Sequence, residues 1–474
     1  MMMKFNIKLL LLLSVFFAAS CESLVDDINE NPNDILIEDV EAELFLTGAM
    51  LANTSAQVGH VNRIAGMYSG QLVGITSLYS NIYGFSLSAA ETVSTWSRVY
   101  VGMIPNLRLI RERAPEDRLL QGIAKALEAY GVGTAAALFG DVPYREVNDP
   151  KIEDPMFDGQ VSVLNDAIAL LDDAIADLGA ASSRPLDADI YFEGDAAKWL
   201  EACYTLQARF YMHLKDYSSA NAAAAQGISS ADGSMRFRPR GANTVSEGDK
   251  NLFWMILEGS RAGDIGTVNS YLMQLIDPSS GISRNNAKTD ETARFGYYSI
   301  DETGGSANQG IIEQYEPQNL VTYAENLLIL AETAGRSGGV AAGLPHLNEL
   351  RAWLNTGGGV NANFSAEPYL YEAYEAADFD SGGIENTDGI AADRAFLREV
   401  VEERYVSGFG MYMPFDDARR LRKSDTDIAV PFFMVDGPAP PYAERFPYSA
   451  DELNSNSNAP DEDPGIFVVT AVNE

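Results

Sequence analysis

Two short segments of the sequence combine aromatic rings with polar groups that suit the binding of sugars. One runs from Tyr79 to Phe85 and the other from Arg294 to Tyr298. Flat rings can cover the C–H faces of a sugar, while amide and guanidinium groups hydrogen-bond its hydroxyls. Neither segment has an apolar helical stripe, so both are predicted to be loops, where ordinary packing is the competing interpretation for each ring. The residues expected to contact a ligand are Tyr79, Asn81, Tyr83, Phe85, Phe295, Tyr297 and Tyr298.

No residue pattern indicates catalysis or a resident metal. His60, His213 and His346 are isolated histidines, and the sequence has no nucleophile elbow or phosphate-binding glycine loop. Carboxylate pairs suited to glycoside hydrolysis would arise by chance among 68 acidic residues. The segment that starts at Asp378 begins like a calcium loop, but Gly389 stands where a bidentate Glu is needed. We therefore expect no enzyme activity, no cofactor and no metal, with a solvated turn favoured at this segment and an incidental structural calcium as the alternative.

The elements that must position these residues are predicted to be mostly α-helices. Apolar residues recur every three or four positions from Val161 to Leu178, which is typical of a half-buried helix. Asp166, Asp173 and Asp177 are expected on its solvated face. A similar stripe includes Trp199 and Cys203, so Cys203 is predicted to be a packed thiol. Pro105 is expected to bend a helix that runs from Trp96 to Ile110. Further helices are predicted at 39–58, 117–139, 322–334, 343–354 and 391–407.

Two helix pairs resemble tetratricopeptide repeats. Large and small residues between Tyr204 and Gly227 follow the intervals of that repeat, with the small ones allowing two helices to approach closely. A second pair, 322–334 with 343–354, has a glycine-rich connection. We predict one mostly α domain at 39–474 on a tetratricopeptide-like scaffold. Its helical hairpins are expected at 91–228 and 322–408, and its loop-rich regions at 60–90, 229–310, 356–390 and 411–474.

The N-terminus reads as a secretory signal. Lys4 and Lys8 are basic, and the apolar run Leu9–Phe17 is far shorter than the ~20 residues of a membrane-spanning helix. Small residues precede Cys21, which predicts signal-peptide removal after residue 20, lipidation of Cys21 and a flexible leader over 21–38. An ordinary signal peptide with a chance cysteine is the alternative. The formal charge of −35 argues against nucleic acid as a partner.

Several motifs in order along the chain resemble the SusD/RagB family of nutrient-binding outer-membrane lipoproteins from Bacteroidetes. They accompany the small residues before Cys21 and reach to about residue 458. The resemblance therefore runs from Cys21 to about residue 458, which is essentially the whole chain after the signal. The motifs are Leu138–Tyr144, Thr322–Glu332, Glu402–Tyr405, Gly408–Gly410, Phe415–Arg420, Arg445–Tyr448 and Asp451–Asn456.

The resemblance implies a lid-like protein on a SusC-like TonB-dependent channel, held at the cell surface of the outer membrane by its N-terminal lipid. Such proteins have tetratricopeptide-like helix pairs beneath irregular loops. The early acids Glu22, Asp26 and Asp27 resemble a surface-export signal. An oligosaccharide is the expected ligand. Alternatives are a peptide ligand, a docking scaffold without nutrient contact, and a secreted hydrolase.

Overall fold

A computed structural model describes residues 40–240, 249–304 and 307–474. The predicted signal peptide, Cys21 and the whole predicted leader lie outside these residues. Most of the described chain is helical, as predicted. In chain order the α-helices are Leu44–Val58 (α1), His60–Tyr68 (α2), Ser77–Tyr83 (α3), Val93–Ser97 (α4), Ile104–Arg113 (α5), Arg118–Phe139 (α6), Gln160–Ala180 (α7), Ala196–His213 (α8), Tyr217–Ala224 (α9), Leu252–Glu258 (α10), Tyr271–Ile276 (α11), Thr292–Tyr298 (α12), Tyr323–Leu354 (α13), Ala392–Ser407 (α14), Met413–Leu421 (α15) and Ala450–Ser455 (α16).

Short antiparallel strand pairs tie the loops to one another. The pairs are β1 with β5, β2 with β3, β4 with β7, and β6 with β8. No strand among the described residues is longer than four residues, so these pairs connect loops and do not form an extended sheet. The strands are Val73–Gly74 (β1), Val142–Pro143 (β2), Phe157–Asp158 (β3), Met235–Phe237 (β4), Ile265–Gly266 (β5), Thr289–Asp290 (β6), Gln318–Val321 (β7) and Leu370–Tyr371 (β8).

Helices α6 and α7 form the centre of the scaffold. Asp117 caps α6 by accepting from the backbone N–H of Leu120, and nearly every later residue of that helix is buried. The apolar stripe of α7 packs along it. The expectation that Asp177 is solvated is wrong, since it is only 3% exposed and pairs with Arg118 and Lys125 of α6. A carboxylate can be buried where two cations compensate it.

The chain before α6 contains a local change of helical pitch. Residues Arg98–Met103 form a π-helical segment between α4 and α5. Pro105 lies in the first turn of α5, where a missing backbone N–H removes no helical hydrogen bond. The predicted single helix is therefore interrupted just before this proline.

The first predicted repeat is present as the hairpin of α8 and α9. Asp216 caps α9 by accepting from the N–H of Ser219, directly after the turn. Ala208, Ala220 and Ala224 are buried where the two helices meet. Cys203 is fully buried, which confirms the packed thiol.

The second predicted repeat is the hairpin within α13, which turns back on itself at Gly339. That residue has φ 68° and ψ −166°. The hydroxyl of Tyr323 donates to Glu349 at 2.7 Å, which shows that the two halves lie side by side. Asp393 accepts from the N–H of Val340 at 2.9 Å and so fixes the turn against α14.

The regions predicted to be loop-rich contain more helix than expected. Residues 60–90 hold α2 and α3, and α10, α11 and α12 lie within 229–310. Most of these helices have seven residues or fewer, too short for a 3.6-residue periodicity to show in the sequence. In the described part of the chain, no helix combines the length and hydropathy that crossing a membrane requires.

Candidate ligand-binding cavity

Helix α12 is fixed by a buried network of charges. Arg294 bonds Glu291 of the preceding turn at 2.6 Å and Glu403 of α14 at 2.7 Å. The side chains of all three are at most 2% exposed. Buried ion pairs with this many hydrogen bonds hold a fixed geometry because breaking one strands a charge. The network sets the orientation of the next turn, which carries Tyr297 and Tyr298.

Tyr297 and Tyr298 line a cavity of about 230 Å³. Trp353, near the end of α13, also lines it. A water molecule occupies roughly 30 Å³ of liquid, and pockets for drug-sized ligands begin at about 300 Å³. The cavity therefore suits one guest of the size of a sugar ring.

Strands β4 and β7 bring polar groups to the same cavity. In their antiparallel pairing Arg236 lies opposite Asn319, with an irregularity of register next to Arg236. Both residues line the cavity. The guanidinium of Arg236 donates and the amide of Asn319 both donates and accepts, so this wall offers several groups to a hydroxylated guest.

Glu316 supplies a hydrogen-bond acceptor. The hydroxyl of Tyr297 donates to its Oε1 at 2.9 Å, and Nδ2 of Asn361 donates to its Oε2 at 3.0 Å. Burial raises the pKa of Glu316, while the bonds from Asn361 and Tyr297 lower it. Each carboxylate oxygen retains a further lone pair for a ligand hydroxyl.

The ring of Trp353 is covered by a stretch of three glycines. A Cβ on Gly358 would lie 2.4 Å from the indole, and Gly357 and Gly359 have φ 82° and 89°. Only glycine allows the backbone to lie this close to the ring and turn in this way. Tyr323 packs against the same indole in an edge-to-face arrangement, with ring centroids 6.1 Å apart. These contacts leave the indole in a fixed position at the cavity wall.

Comparison with known proteins places this architecture in a family. A family model described as starch-binding and associating with the outer membrane matches residues 32–385, well over half of the chain. The chain belongs to the SusD-like family. The resemblance inferred from the motifs is thereby confirmed, and the family is one of nutrient-binding proteins associated with the outer membrane.

Solved SusD-like structures share the fold with little sequence identity. A SusD/RagB family protein from Bacteroides thetaiotaomicron is 22% identical with a TM-score of 0.62, covering 88% of this chain and 95% of its own. A chitin-binding SusD homologue from Flavobacterium johnsoniae is 16% identical with a TM-score of 0.63, covering 90% and 98%. A SusD homologue from Bacteroides fragilis is 16% identical with a TM-score of 0.65, covering 92% and 100%. No curated protein matches the chain.

The sequence prediction of two binding loops needs correction in this SusD-like chain. The first segment is helical as far as Tyr83, in α3, and the second lies wholly in α12, because several of their residues are buried at helical spacing. Tyr297 and Tyr298 are 7% and 5% exposed and line the cavity. Phe295 is partly buried on the same helix but packs against the core instead of the cavity.

The four candidate residues in and just after α3 do not line the cavity. Tyr79 and Tyr83 are 1% and 5% exposed, so little of either ring is open to a ligand. Phe85 is partly buried and packs edge-on against the 45%-exposed Phe467, with centroids 5.3 Å apart. Asn81 is exposed at the surface. The structure therefore separates the two predicted segments, and contact of the α3 group with a ligand stays a prediction.

Tyr79 instead belongs to a polar cluster. Its hydroxyl lies 3.0 Å from Nδ1 of His60 and accepts from Nε of Arg63 at 2.9 Å. Nε2 of His60 lies 2.8 Å from Glu91. Burial, together with the charge of Arg63, lowers the pKa of His60. A neutral His60 donates to Glu91 and accepts from Tyr79, so these contacts join α2 and α3 firmly.

Sequence reasoning missed four of the cavity residues. Arg236, Glu316, Asn319 and Trp353 come from separate elements that only the folded chain brings together. The sequence contained a hint for two of them. Arg236 is the first of three arginines at alternate positions in a strongly acidic chain, and Trp353 shortly precedes the three glycines.

Proposed function

We propose that this SusD-like protein captures an oligosaccharide by holding one of its sugar residues in the cavity beside α12. The supporting observation is that aromatic and polar side chains line the same cavity. Tyr297 and Trp353 offer aromatic surface, and Arg236, Glu316 and Asn319 offer donors and acceptors. Ring surface with a few placed polar groups is the general requirement for binding a sugar.

The binding is expected to be modest and without chemical change to the sugar. Delivery to an importer requires release, so the affinity should lie in the range of about micromolar to millimolar, or roughly −8 to −4 kcal/mol. A few ring contacts and hydrogen bonds supply that much. The purified protein should return every bound glycan intact, which chromatography of the incubated sugar checks.

Titration calorimetry of the purified protein with a panel of glycans and peptides tests the capture of sugars. We expect heat with at least one glycan and a loss of about tenfold in affinity, ~1.4 kcal/mol, for Trp353→Ala. Phe433→Ala is the matched control, since that ring is 39% exposed and lies outside the cavity. Equal losses for both variants, or heat only with peptides, would contradict the proposal.

We also propose that the protein is anchored through a lipid on Cys21 and delivers its ligand to a SusC-like TonB-dependent channel. Membership of a family associated with the outer membrane supports this arrangement. The small residues before Cys21 support the anchor. Affinity purification of the protein from detergent-solubilised outer membranes should recover the channel. Recovery of the protein alone under mild detergent would count against the partnership.

A further inference from the structure

Arg236 differs from the other arginine that lines the cavity. Arg294 is bound to the carboxylates of Glu291 and Glu403. Arg236 has no carboxylate within 4.0 Å and makes no side-chain hydrogen bond within the part of the chain that the structure describes. Its Nε is buried without an acceptor. The cavity therefore contains one guanidinium that no carboxylate of the described residues pairs with directly.

Burial of this group is unfavourable unless an anion compensates it. Burial and the neighbouring charge of Arg238 lower the pKa of Arg236, and the charges of Glu316 and Asp232, which lie beyond ion-pairing distance, offset this only in part. A guanidinium keeps its proton in proteins, so the strain is relieved by an added anion rather than by deprotonation. Its planar fork matches a carboxylate, which accepts two parallel N–H bonds.

Glu316 does not serve as that anion in the structure. It lies on the same cavity but beyond ion-pairing distance of Arg236, and its oxygens already accept from Tyr297 and Asn361. Those two bonds hold Glu316 in place, so it cannot swing to Arg236 without losing them. The remaining lone pairs of its carboxylate oxygens can accept hydrogen bonds from the hydroxyl groups of a bound ligand.

We infer that the sugar residue held in this cavity carries a carboxylate, as a uronate does, and that this carboxylate pairs with Arg236. The inference rests on the proposed function and specifies its ligand. The ring of the uronate packs against Tyr297 or Trp353, and its hydroxyls bond Glu316 and Asn319. A peptide carboxylate would also satisfy Arg236 and peptide N–H groups could bond Glu316, so the acidic tripeptide is included in the test below as the competing ligand.

Titration calorimetry with three ligands of matched length tests the inference: trigalacturonate, neutral maltotriose and an acidic tripeptide. We expect trigalacturonate to bind at least about tenfold more tightly than maltotriose, because its carboxylate forms charge-assisted hydrogen bonds with Arg236 that the neutral sugar cannot form. Binding of the uronate should weaken when the sodium chloride concentration is raised, since salt screens the ion pair between Arg236 and the carboxylate of the ligand.

Two substitutions isolate the charge of Arg236. Arg236→Gln should lower the affinity for trigalacturonate by about tenfold or more, and Arg236→Lys should restore part of it. Arg238→Gln is the matched control, since this arginine does not line the cavity and acts on Arg236 only through space. The affinity of the Arg238→Gln protein for trigalacturonate should stay within about twofold of the original. Circular dichroism confirms that each variant is folded.

The outcomes separate the inference from the proposed function. Tight uronate binding that Arg236→Gln weakens and Arg238→Gln does not supports both. Equal binding of uronate and neutral sugar, unchanged in Arg236→Gln, overturns the inference and leaves sugar capture standing. Binding of the tripeptide alone overturns both.

Discussion

At the scale of single residues, the cavity depends on a hydrogen bond between Tyr297 and Glu316. Burial raises the pKa of that carboxyl, and the phenol hydroxyl partly offsets the effect by stabilising the ionised form. The same bond fixes the Tyr297 ring beside the cavity. Neither residue was expected to meet the other from the sequence, because 19 positions separate them.

Tyr297→Phe should therefore raise the pKa of Glu316 further, since the donor to its carboxylate is removed. The carboxyl ¹³C shift of Glu316 followed against pH measures this, with Glu316→Gln used to assign the signal. Tyr298→Phe is the control, because its hydroxyl does not bond Glu316. If Glu316 has the same pKa in both variants as in the original protein, the hydrogen bond from Tyr297 does not affect the pKa of this carboxyl.

At the scale of elements, short irregular joints decide how the long helices pack. Gly339 divides α13 into an antiparallel hairpin, and its φ of 68° with ψ of −166° is a conformation that only glycine adopts readily. A Cβ there would also lie 2.5 Å from Oδ1 of Asp393. The hairpin, and with it the position of Trp353, depends on this one residue.

Gly339→Ala should lower the free energy of unfolding by about 2 kcal/mol because of backbone strain and this contact. Urea denaturation followed by circular dichroism measures the change. Gly179→Ala is the matched control: no atom lies within 4 Å of a Cβ built there in helix α7, so alanine should be neutral or slightly stabilising. A Gly339→Ala protein as stable as the original would show that the kink carries no strain.

A second joint is the buried ion cluster that connects three helices. Glu332 of α13 bonds Arg404 of α14 at 2.8 Å and Arg420 of α15 at 2.7 Å. Burial alone would raise the pKa of Glu332, but the charges of Arg420 and Arg404 outweigh it and hold the pKa well below the ordinary value of 4.5. The cluster stabilises the packing of these helices only while Glu332 is ionised.

Glu332→Gln should lower the free energy of unfolding by about 3 kcal/mol at pH 7, since it leaves buried arginines without their counter-charge. Because the pKa is depressed in the folded state, the stabilisation is complete above the ordinary value and disappears as the pH falls through the folded one. The difference between the two proteins should therefore shrink below about pH 4.5.

Urea midpoints measured from pH 7 down to pH 3 follow this difference. Glu372→Gln, at an exposed position without a salt bridge among the described residues, is the control and should match the original protein at every pH. A gap between Glu332→Gln and the original that stays constant to pH 3 would contradict the assigned direction of the pKa.

At the scale of the whole molecule, a strongly acidic chain belongs to a family that is associated with the outer membrane. The formal charge of −35 opposes contact with anionic lipid, so attachment must come from elsewhere. The predicted lipid on Cys21 meets that requirement, because each buried CH₂ contributes about 0.8 kcal/mol and several acyl chains give stable attachment.

Cys21→Ser should release the protein from the outer-membrane fraction and abolish incorporation of labelled palmitate. Fractionation followed by immunoblotting measures the distribution. Cys203→Ser is the control for the label, since that thiol is buried and cannot be acylated in the folded protein. Palmitate incorporation that persists in Cys21→Ser would refute the predicted anchor.

The sequence by itself determined the family, the predominance of helix and the long scaffold helices. Stretches such as α6 and α7 are long enough for the 3.6-residue period of apolar side chains to appear. Cys203 and Trp199 were correctly placed in the core for the same reason. Periodicity reports which face of a helix is buried, and it does so without knowledge of the neighbouring element.

Only the tertiary structure decided which residues meet. Asp177 is buried because α6 supplies two cations, and no pattern within α7 could show that. The cavity gathers Arg236, Glu316, Tyr297 and Trp353 from separate elements, whereas the aromatic group of α3 lies elsewhere. Contacts between positions far apart in the chain follow from the packing of whole elements, which local residue patterns do not encode.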